Sequence, residues 1–254
     1  MEAEADLAAM GRLIGDPNRA HMLNVLLGGT PQSGSALAAA VGISRSLASA
    51  HLKKLTAGGL VRAERNGRQQ LYSIAAQPVA DALEILQLLA PATPVRSLRG
   101  AAQRRNLRWA RMCYDHLAGV AGVAVTEALA AQDAIAELDG AWVLGARGAR
   151  VFAGVGIDVG AVPRRTRPLL RPCMDWTERR HHLAGSLGAA LTAELMRRDW
   201  LRRHEASRVV TVTPDGCSGL TPGLASTSAS SESPRRPSSG QRPRARPDPR
   251  TGPP

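Results

Sequence analysis

Two short stretches carry the side chains most able to do chemistry. "CYDH" holds Cys113 and His116, and "CMDWTERRHH" holds Cys173 and His182. Cysteine sulfur and imidazole nitrogen are soft ligands that favour zinc or copper(I), and one pair from each stretch would complete a Cys2His2 set. That set requires the two stretches to pack with their starts together. A second chemistry uses the thiol alone. Arg171, Arg179, Arg180 and a helix N-terminus around Cys173 would favour its thiolate and make it a sensor of oxidants or electrophiles. The third reading is packing, with cysteine as a small hydrophobe, Asp175 as a helix cap and Glu178 in the first helical turn. From the sequence, packing ranks first, thiol sensing second and metal third, so these four are candidate sensor residues and no metal site or cofactor is assigned. Cys217, in "PDGCSG", is read as incidental. Three widely spaced cysteines make a poor disulfide framework, and in a reducing compartment they are thiols.

Catalytic signatures are missing. The sequence has no Gly-rich phosphate loop, no Gly-x-Ser-x-Gly elbow and no His-Glu-x-x-His pair, and "GARGARVFAGVG" lacks the spacing of a nucleotide-binding turn. The expected class is therefore not an enzyme. A Cys/His active site within residues 104–220 is the outlying alternative.

The elements around these residues are read as mostly helical. A helix is expected across "RWARMCYDHLAGVAGVAVTEALA", ending near Gln132, which puts Cys113 and His116 three apart on one face. A second, long helix is expected from about Asp175 to Arg203. Strands are expected at "AWVLGA", "ARVFAGV" and "SRVVTVT". The region repeats itself. "HLAGVAGVAVTEAL" from His116 aligns without a gap to "HLAGSLGAALTAEL" from His182, each with a cysteine upstream. Two similar units related by a pseudo-twofold are expected.

Upstream, residues 7–90 read as short helices and a hairpin. Asp16 and Pro17 open a helix whose buried stripe is Met22, Leu23, Leu26 and Leu27. "SALAAAV" forms a second helix, ended by Gly42. Ser44 caps a third, "SRSLASAHLKKLTA", with Ala48, Leu52 and Leu55 facing inward. Arg45, Ser46, Ser49 and Lys53 fall on its other side. "LVRAER" and "RQQLYSI" flank Asn66-Gly67 as a hairpin, with Arg65 and Arg68 beside the turn. Two helices joined by a tight turn and followed by a basic wing suit the major groove, where arginine can grip guanine through two hydrogen bonds.

"LIGDPNRAHMLNVLL" and "ALAAAVGISRSLASAHLKKLTAGGLVRAERNGRQQLYSI" together resemble the winged helix-turn-helix head of the ArsR/SmtB transcriptional regulators. The resemblance covers about residues 7–90. It implies a homodimer, joined through helices flanking the head, that binds a palindromic operator on double-stranded DNA and usually represses. The family's metal sites do not carry over. The helix before the recognition helix has no cysteine, and the helix after the wing offers Asp81 and Glu84 without a histidine. The second half resembles the C-terminal extension of one ArsR subgroup, for which the resemblance implies no ligand. The effector, whether small molecule, oxidant or metal, stays open.

Composition supports this picture loosely. The 254 residues carry a formal charge of +12, which favours a polyanionic partner, although the Arg-for-Lys and Ala-rich usage is also what a GC-rich genome gives. No long apolar run occurs and the N-terminus is acidic, so no membrane partner is expected and the chain reads as cytoplasmic. The expected architecture is mainly α with small β (α+β). It comprises a winged helix-turn-helix over 1–92, a linker at 91–103, a sensor or dimer-support region at 104–220, and a disordered Ser/Pro/Arg-rich tail at 221–254. The expected function is a sequence-specific DNA-binding regulator. An architectural protein that coats DNA without sequence preference is the rival.

Overall fold

The computed structural model describes residues 5–91, 94, 97–163 and 167–224, with backbone alone at 221–224. Local signals build the first half. Asp6 caps α1 (Leu7–Ile14), and Asp16 caps α2 (Pro17–Leu26) by accepting from the Arg19 backbone N–H. After β1 (Gln32–Ser33), Ser33 caps α3 (Gly34–Val41), which Gly42 ends in the left-handed conformation at φ 78°. Ser44 caps α4 (Arg45–Ala57). β2 (Val61–Asn66) and β3 (Gln69–Ile74) pair antiparallel around Gly67, and β1 adds to the free edge of β3. α5 (Gln77–Leu89) follows. Met22, Leu23, Leu26, Leu37, Leu52, Leu55 and Ile74 fill the core of this head. Ala48, Leu52 and Leu55 all face inward, as the spacing in α4 requires.

The expected linker at 91–103 is shorter than read. Ser97 caps α6 (Leu98–Trp109), so helix already covers 98–103. Its small and basic residues are compatible with helix once a cap is supplied.

The second half departs from the expected helices. Residues 111–118 form a hairpin, β4 (Arg111–Cys113) and β5 (His116–Ala118), and only then comes α7 (Gly119–Ala131). After the hairpin β6 (Ile135–Leu138) and β7 (Ala141–Leu144), "ARVFAGV" is helical within α8 (Gly148–Gly154) instead of a strand. The expected helix from Asp175 to Arg203 is a second hairpin, β8 (Arg171–Met174) and β9 (His181–Ala184), followed by α9 (Gly185–Arg197). β10 (Leu201–Arg203) and β11 (Val210–Val212) pair, and α10 (Pro214–Leu224) carries Cys217. α10 also takes in Thr221–Leu224, the start of the expected disordered tail. The rest of that tail lies outside the described residues.

Glycine sets both elbows. Gly119 and Gly185 adopt φ 81° and 84°, and a Cβ there would sit 2.5 Å from Arg108 O and 2.7 Å from Leu169 O. Runs of Ala, Gly and Val fit both a helical and a strand period, which is why sequence periodicity extended the helices through these elbows.

The repeat is real in three dimensions. Each unit is a hairpin, a 13-residue helix and a second hairpin. α7 packs on β9 of the other unit and α9 on β5, a reciprocal exchange that describes a pseudo-twofold. A single aliphatic core spans both units, with Met112, Leu117, Phe152, Leu183, Leu187 and Leu195 in it. Among the described residues, no helix is long and apolar enough to cross a membrane.

Candidate functional site

α4 presents its polar side outward. Arg45, Ser46, Ser49 and Lys53 are all exposed, while the opposite side is buried in the head. Ser46 Oγ lies 3.1 Å from the capping Ser44 Oγ, at the start of the helix. Arg65 is exposed on β2 opposite Gln70, and Arg68 is exposed in the turn. Arg62, also on β2, is partly committed elsewhere: its Nε donates to Ser73 Oγ at 2.8 Å and lies 3.1 Å from Glu64. The face therefore combines short hydroxyls and two long cations on a helix with cations at a wing tip.

The second site lies where the two units meet. Cys113 and His116 are direct cross-strand partners in the first hairpin, and Cys173 and His182 hold the same relation in the second. Directly opposed residues project from one face of a hairpin, so each hairpin offers a thiol and an imidazole side by side. The hairpins bring these pairs together. The ligand atoms of all four lie within 4.8 Å of one another, with the two Sγ atoms 3.8 Å apart and unbonded. The imidazole centroids are 5.1 Å apart. Cys113, His116 and His182 are buried and Cys173 half-buried. The sequence placed Cys113 and His116 on a helix. The structure moves them to a hairpin and still brings all four candidates together.

Polar groups outside the cluster fix its orientation. Asp115 Oδ1 lies 3.0 Å from His116 Nδ1, and its other oxygen pairs with Arg167. Burial disfavours charge on His116, but Asp115 and the nearby Cys173 sulfur outweigh it and push the imidazole up to about 9. Burial also raises the Asp115 carboxyl, yet His116 and Arg167 hold it below the ordinary carboxylate range. Burial draws His182 downward, helped by the charge of His116. Contact with Cys113, then with the two imidazoles, draws the Cys173 thiol down, and its partner Cys113 is pushed up by the same contact and by burial. Three buried ring nitrogens, His116 Nε2 and both nitrogens of His182, have no hydrogen-bond partner among the described residues. Leaving a buried polar group unmet costs about 1–3 kcal/mol.

Behind the cluster stands an ion pair that the sequence reading missed. Arg111 Nη2 and Asp175 Oδ1 are 3.0 Å apart with both side chains fully buried, and the guanidinium lies 4.4 Å from the Trp176 ring centroid. Asp175 had been read as a helix cap. It instead accepts from Gly119 N at 2.7 Å and Thr177 N at 2.9 Å, and lies 3.5 Å from His182 Nδ1. Burial alone would raise its carboxyl, but Arg111 and these donors hold it far below the usual range. The clue was in the repeat: both units read Cys-x-Asp, at 113–115 and 173–175.

The cluster is wired to α5. Arg208 pairs with Glu84 and donates to Gln87 Oε1 at 3.0 Å, while its Nε donates to Met112 O, next to Cys113. Arg171 grips Asp81 through two hydrogen bonds of 2.7 and 3.0 Å, and Arg167 links Asp115 to Gln77. Tyr114 N donates to Leu27 O at 2.8 Å. A groove between head and module runs past His116, lined also by Arg62, Asp81, Arg167 and Arg171.

A helix-turn-helix domain family matches residues 14–64. The HTH-type transcriptional regulator YdfF of Bacillus subtilis is 34 % identical over 211 residues, which span 83 % of this chain and 93 % of YdfF. The regulator CmtR of Mycobacterium tuberculosis is 42 % identical over 87 residues, covering 34 % of this chain and 73 % of CmtR. Among solved structures, the homodimeric winged helix-turn-helix domain of Mb0332 from Mycobacterium bovis is 32 % identical, covering 35 % of this chain and 89 % of its own, with a TM-score of 0.31. The cadmium sensor CmtR of M. tuberculosis is 38 % identical over 36 % of this chain and 99 % of its own, with a TM-score of 0.29. The match to YdfF runs through both the head and the duplicated module, and the chain belongs to the HTH-type transcriptional regulators, with a DNA-binding winged head of ArsR/SmtB type.

Proposed function

We propose that the protein is a homodimeric, cytoplasmic repressor that reads a palindromic operator and acts by binding, not by catalysis. The observation that carries this is the exposed face of α4, where Arg45, Ser46, Ser49 and Lys53 stand beside the exposed wing residues Arg65 and Arg68. In this reading α4 enters the major groove, and the wing cations hold phosphates or a minor groove. Dimerisation is supported by apolar side chains left in solvent on the helices that flank the reading unit. Leu7 and Met10 on α1 are 80 % and 40 % exposed, and Ile85 and Leu89 on α5 are 57 % and 77 % exposed. Covering them with a second copy would set two recognition helices about one DNA turn (~34 Å) apart. The duplicated module holds α5 and so sets the dimer geometry on which operator fit depends.

Fluorescence anisotropy on a duplex from upstream of the protein's own gene, against a shuffled duplex across a salt series, tests the reading. A preference of about a hundredfold or more establishes a specific autoregulator. Equal, steeply salt-dependent binding to both duplexes, and to other candidate operators, would favour the architectural role.

A further inference from the structure

We infer that Cys113, His116, Cys173 and His182 together bind one zinc(II) ion, which joins the two hairpins of the duplicated module. The ligand set is drawn symmetrically: one cysteine and one histidine from the same register position of each hairpin, gathered where the pseudo-twofold brings the hairpins together. The spacing of the sulfurs fits. Two thiolates on a tetrahedral zinc with Zn–S near 2.3 Å are about 3.8 Å apart, and Cys113 and Cys173 are 3.8 Å apart here.

Two further observations point to an ion. The cluster leaves His116 Nε2 and both ring nitrogens of His182 buried without a hydrogen-bond partner among the described residues. A metal uses one such nitrogen on each ring. The outer shell also has the usual form for histidine ligands, a carboxylate behind each ring: Asp115 Oδ1 is 3.0 Å from His116 Nδ1, and Asp175 Oδ2 is 3.5 Å from His182 Nδ1. Binding releases to solvent the thiol protons that remain and the proton on any ligating imidazole nitrogen, so that two thiolates cancel the charge of the ion and both histidines ligate as neutral rings. A neutral assembly of this kind suits a buried site. Four protein ligands close the coordination sphere, as in structural zinc sites. The half-buried Cys173 and the groove past His116 give the ion a way in.

The test uses the full chain, reduced and stripped of metal, under anaerobic conditions. Cobalt(II) serves first as a probe. One equivalent should give the visible bands of a tetrahedral ion and a near-ultraviolet thiolate-to-cobalt band, and zinc(II) should displace it with a Kd of about 10 nM or tighter. Cys173→Ser and His182→Gln should each weaken zinc binding at least about tenfold. Alkylation mapped by mass spectrometry needs no variant to fold. On the native chain, zinc should shield Cys113 and Cys173 and leave the exposed Cys217 reactive. The inference is overturned if a chain with three titratable thiols shows no thiolate band. It is overturned equally if binding is unchanged in folded variants, or if Cys113 and Cys173 alkylate as fast with zinc as without.

Discussion

Thr126 and Thr192 exchange roles across the duplicated module. Leu183 N, on β9, donates to Thr126 Oγ1 on α7 at 2.8 Å, and Leu117 N, on β5, donates to Thr192 Oγ1 on α9 at 2.9 Å. Each hydroxyl passes its own proton back one turn, to Gly122 O and Gly188 O. Those glycines also let each helix lie close against the strand before it, because a Cβ on Gly122 would lie 2.5 Å from Leu117 O and one on Gly188 2.5 Å from Leu183 O. The edge strand of each hairpin thus finds its hydrogen-bond partner in the other unit's helix. Neither unit is complete alone.

Replacing either threonine by valine keeps the shape and removes the acceptor. Thr126→Val should leave Leu183 N buried and unmet and cost about 1–3 kcal/mol in urea unfolding, with a similar loss for Thr192→Val. Serine restores the hydroxyl, so Thr126→Ser should recover most of the loss. Equal destabilisation by serine and valine would mean that the methyl group, not the hydrogen bond, matters here.

The Arg111–Asp175 pair makes a different demand, since both partners are fully buried. Asp175→Leu strands a guanidinium in the interior and should cost about 3–5 kcal/mol. The double variant Arg111→Met/Asp175→Leu removes both charges and should be more stable than Asp175→Leu alone. A double variant weaker than the single would show that Arg111 is held by Trp176 and the backbone more than by the carboxylate.

The head was readable because its signals are local. Asp16 before Pro17, Ser33 and Ser44 at helix starts, Gly42 in the left-handed conformation and Asn66-Gly67 at a hairpin each act within four residues. The module was readable as a repeat but not as strands. Hairpins of three or four residues per strand gain their stability from the opposite unit, through Thr126 and Thr192, and small residues carry no clear period. The four cluster residues could be chosen by type, yet what orients them could not. Asp115 is next to His116 and shows in the sequence only as the Cys-x-Asp of both units, whereas Arg167 and the Arg111–Asp175 pair form only after segments far apart in sequence have folded together.

Asp16 ties stability of the head to pH. Its Oδ1 accepts from Arg19 N at 3.0 Å, with Arg19 Nη1 at 3.6 Å and His51 Nδ1 at 3.8 Å from the carboxylate. The backbone donor, then the charges of Arg19 and His51, outweigh burial and lower its pKa in the fold. A carboxyl lowered on folding stabilises above its unfolded value and loses that contribution as pH falls through the folded one. Asp16→Ala should therefore cost about 1 kcal/mol at neutral pH. The gap to wild type should narrow below about pH 4, where the wild-type carboxyl begins to protonate. Urea midpoints of both chains between about pH 3 and 7 would check this, and a gap constant across that range would assign the loss to the neutral cap alone.

The two kinds of arginine on the reading face should separate in DNA binding. Arg45, exposed on the first turn of α4, is placed to meet base edges, whereas Arg68, exposed in the wing turn, is placed to meet phosphate. Arg45→Ala should lower affinity for the operator by about 1–3 kcal/mol and change binding to random DNA far less. Arg68→Ala should weaken binding to both alike and reduce the slope of log K against log salt by about 1. Lys54 is an internal control: it is exposed near the end of α4, one position from Lys53 and more than two turns from Arg45. Salt-series anisotropy on the operator and a shuffled duplex reads all of these at once. If Arg45→Ala lost equally on both duplexes, α4 would be gripping the backbone, and base reading would have to come from another element.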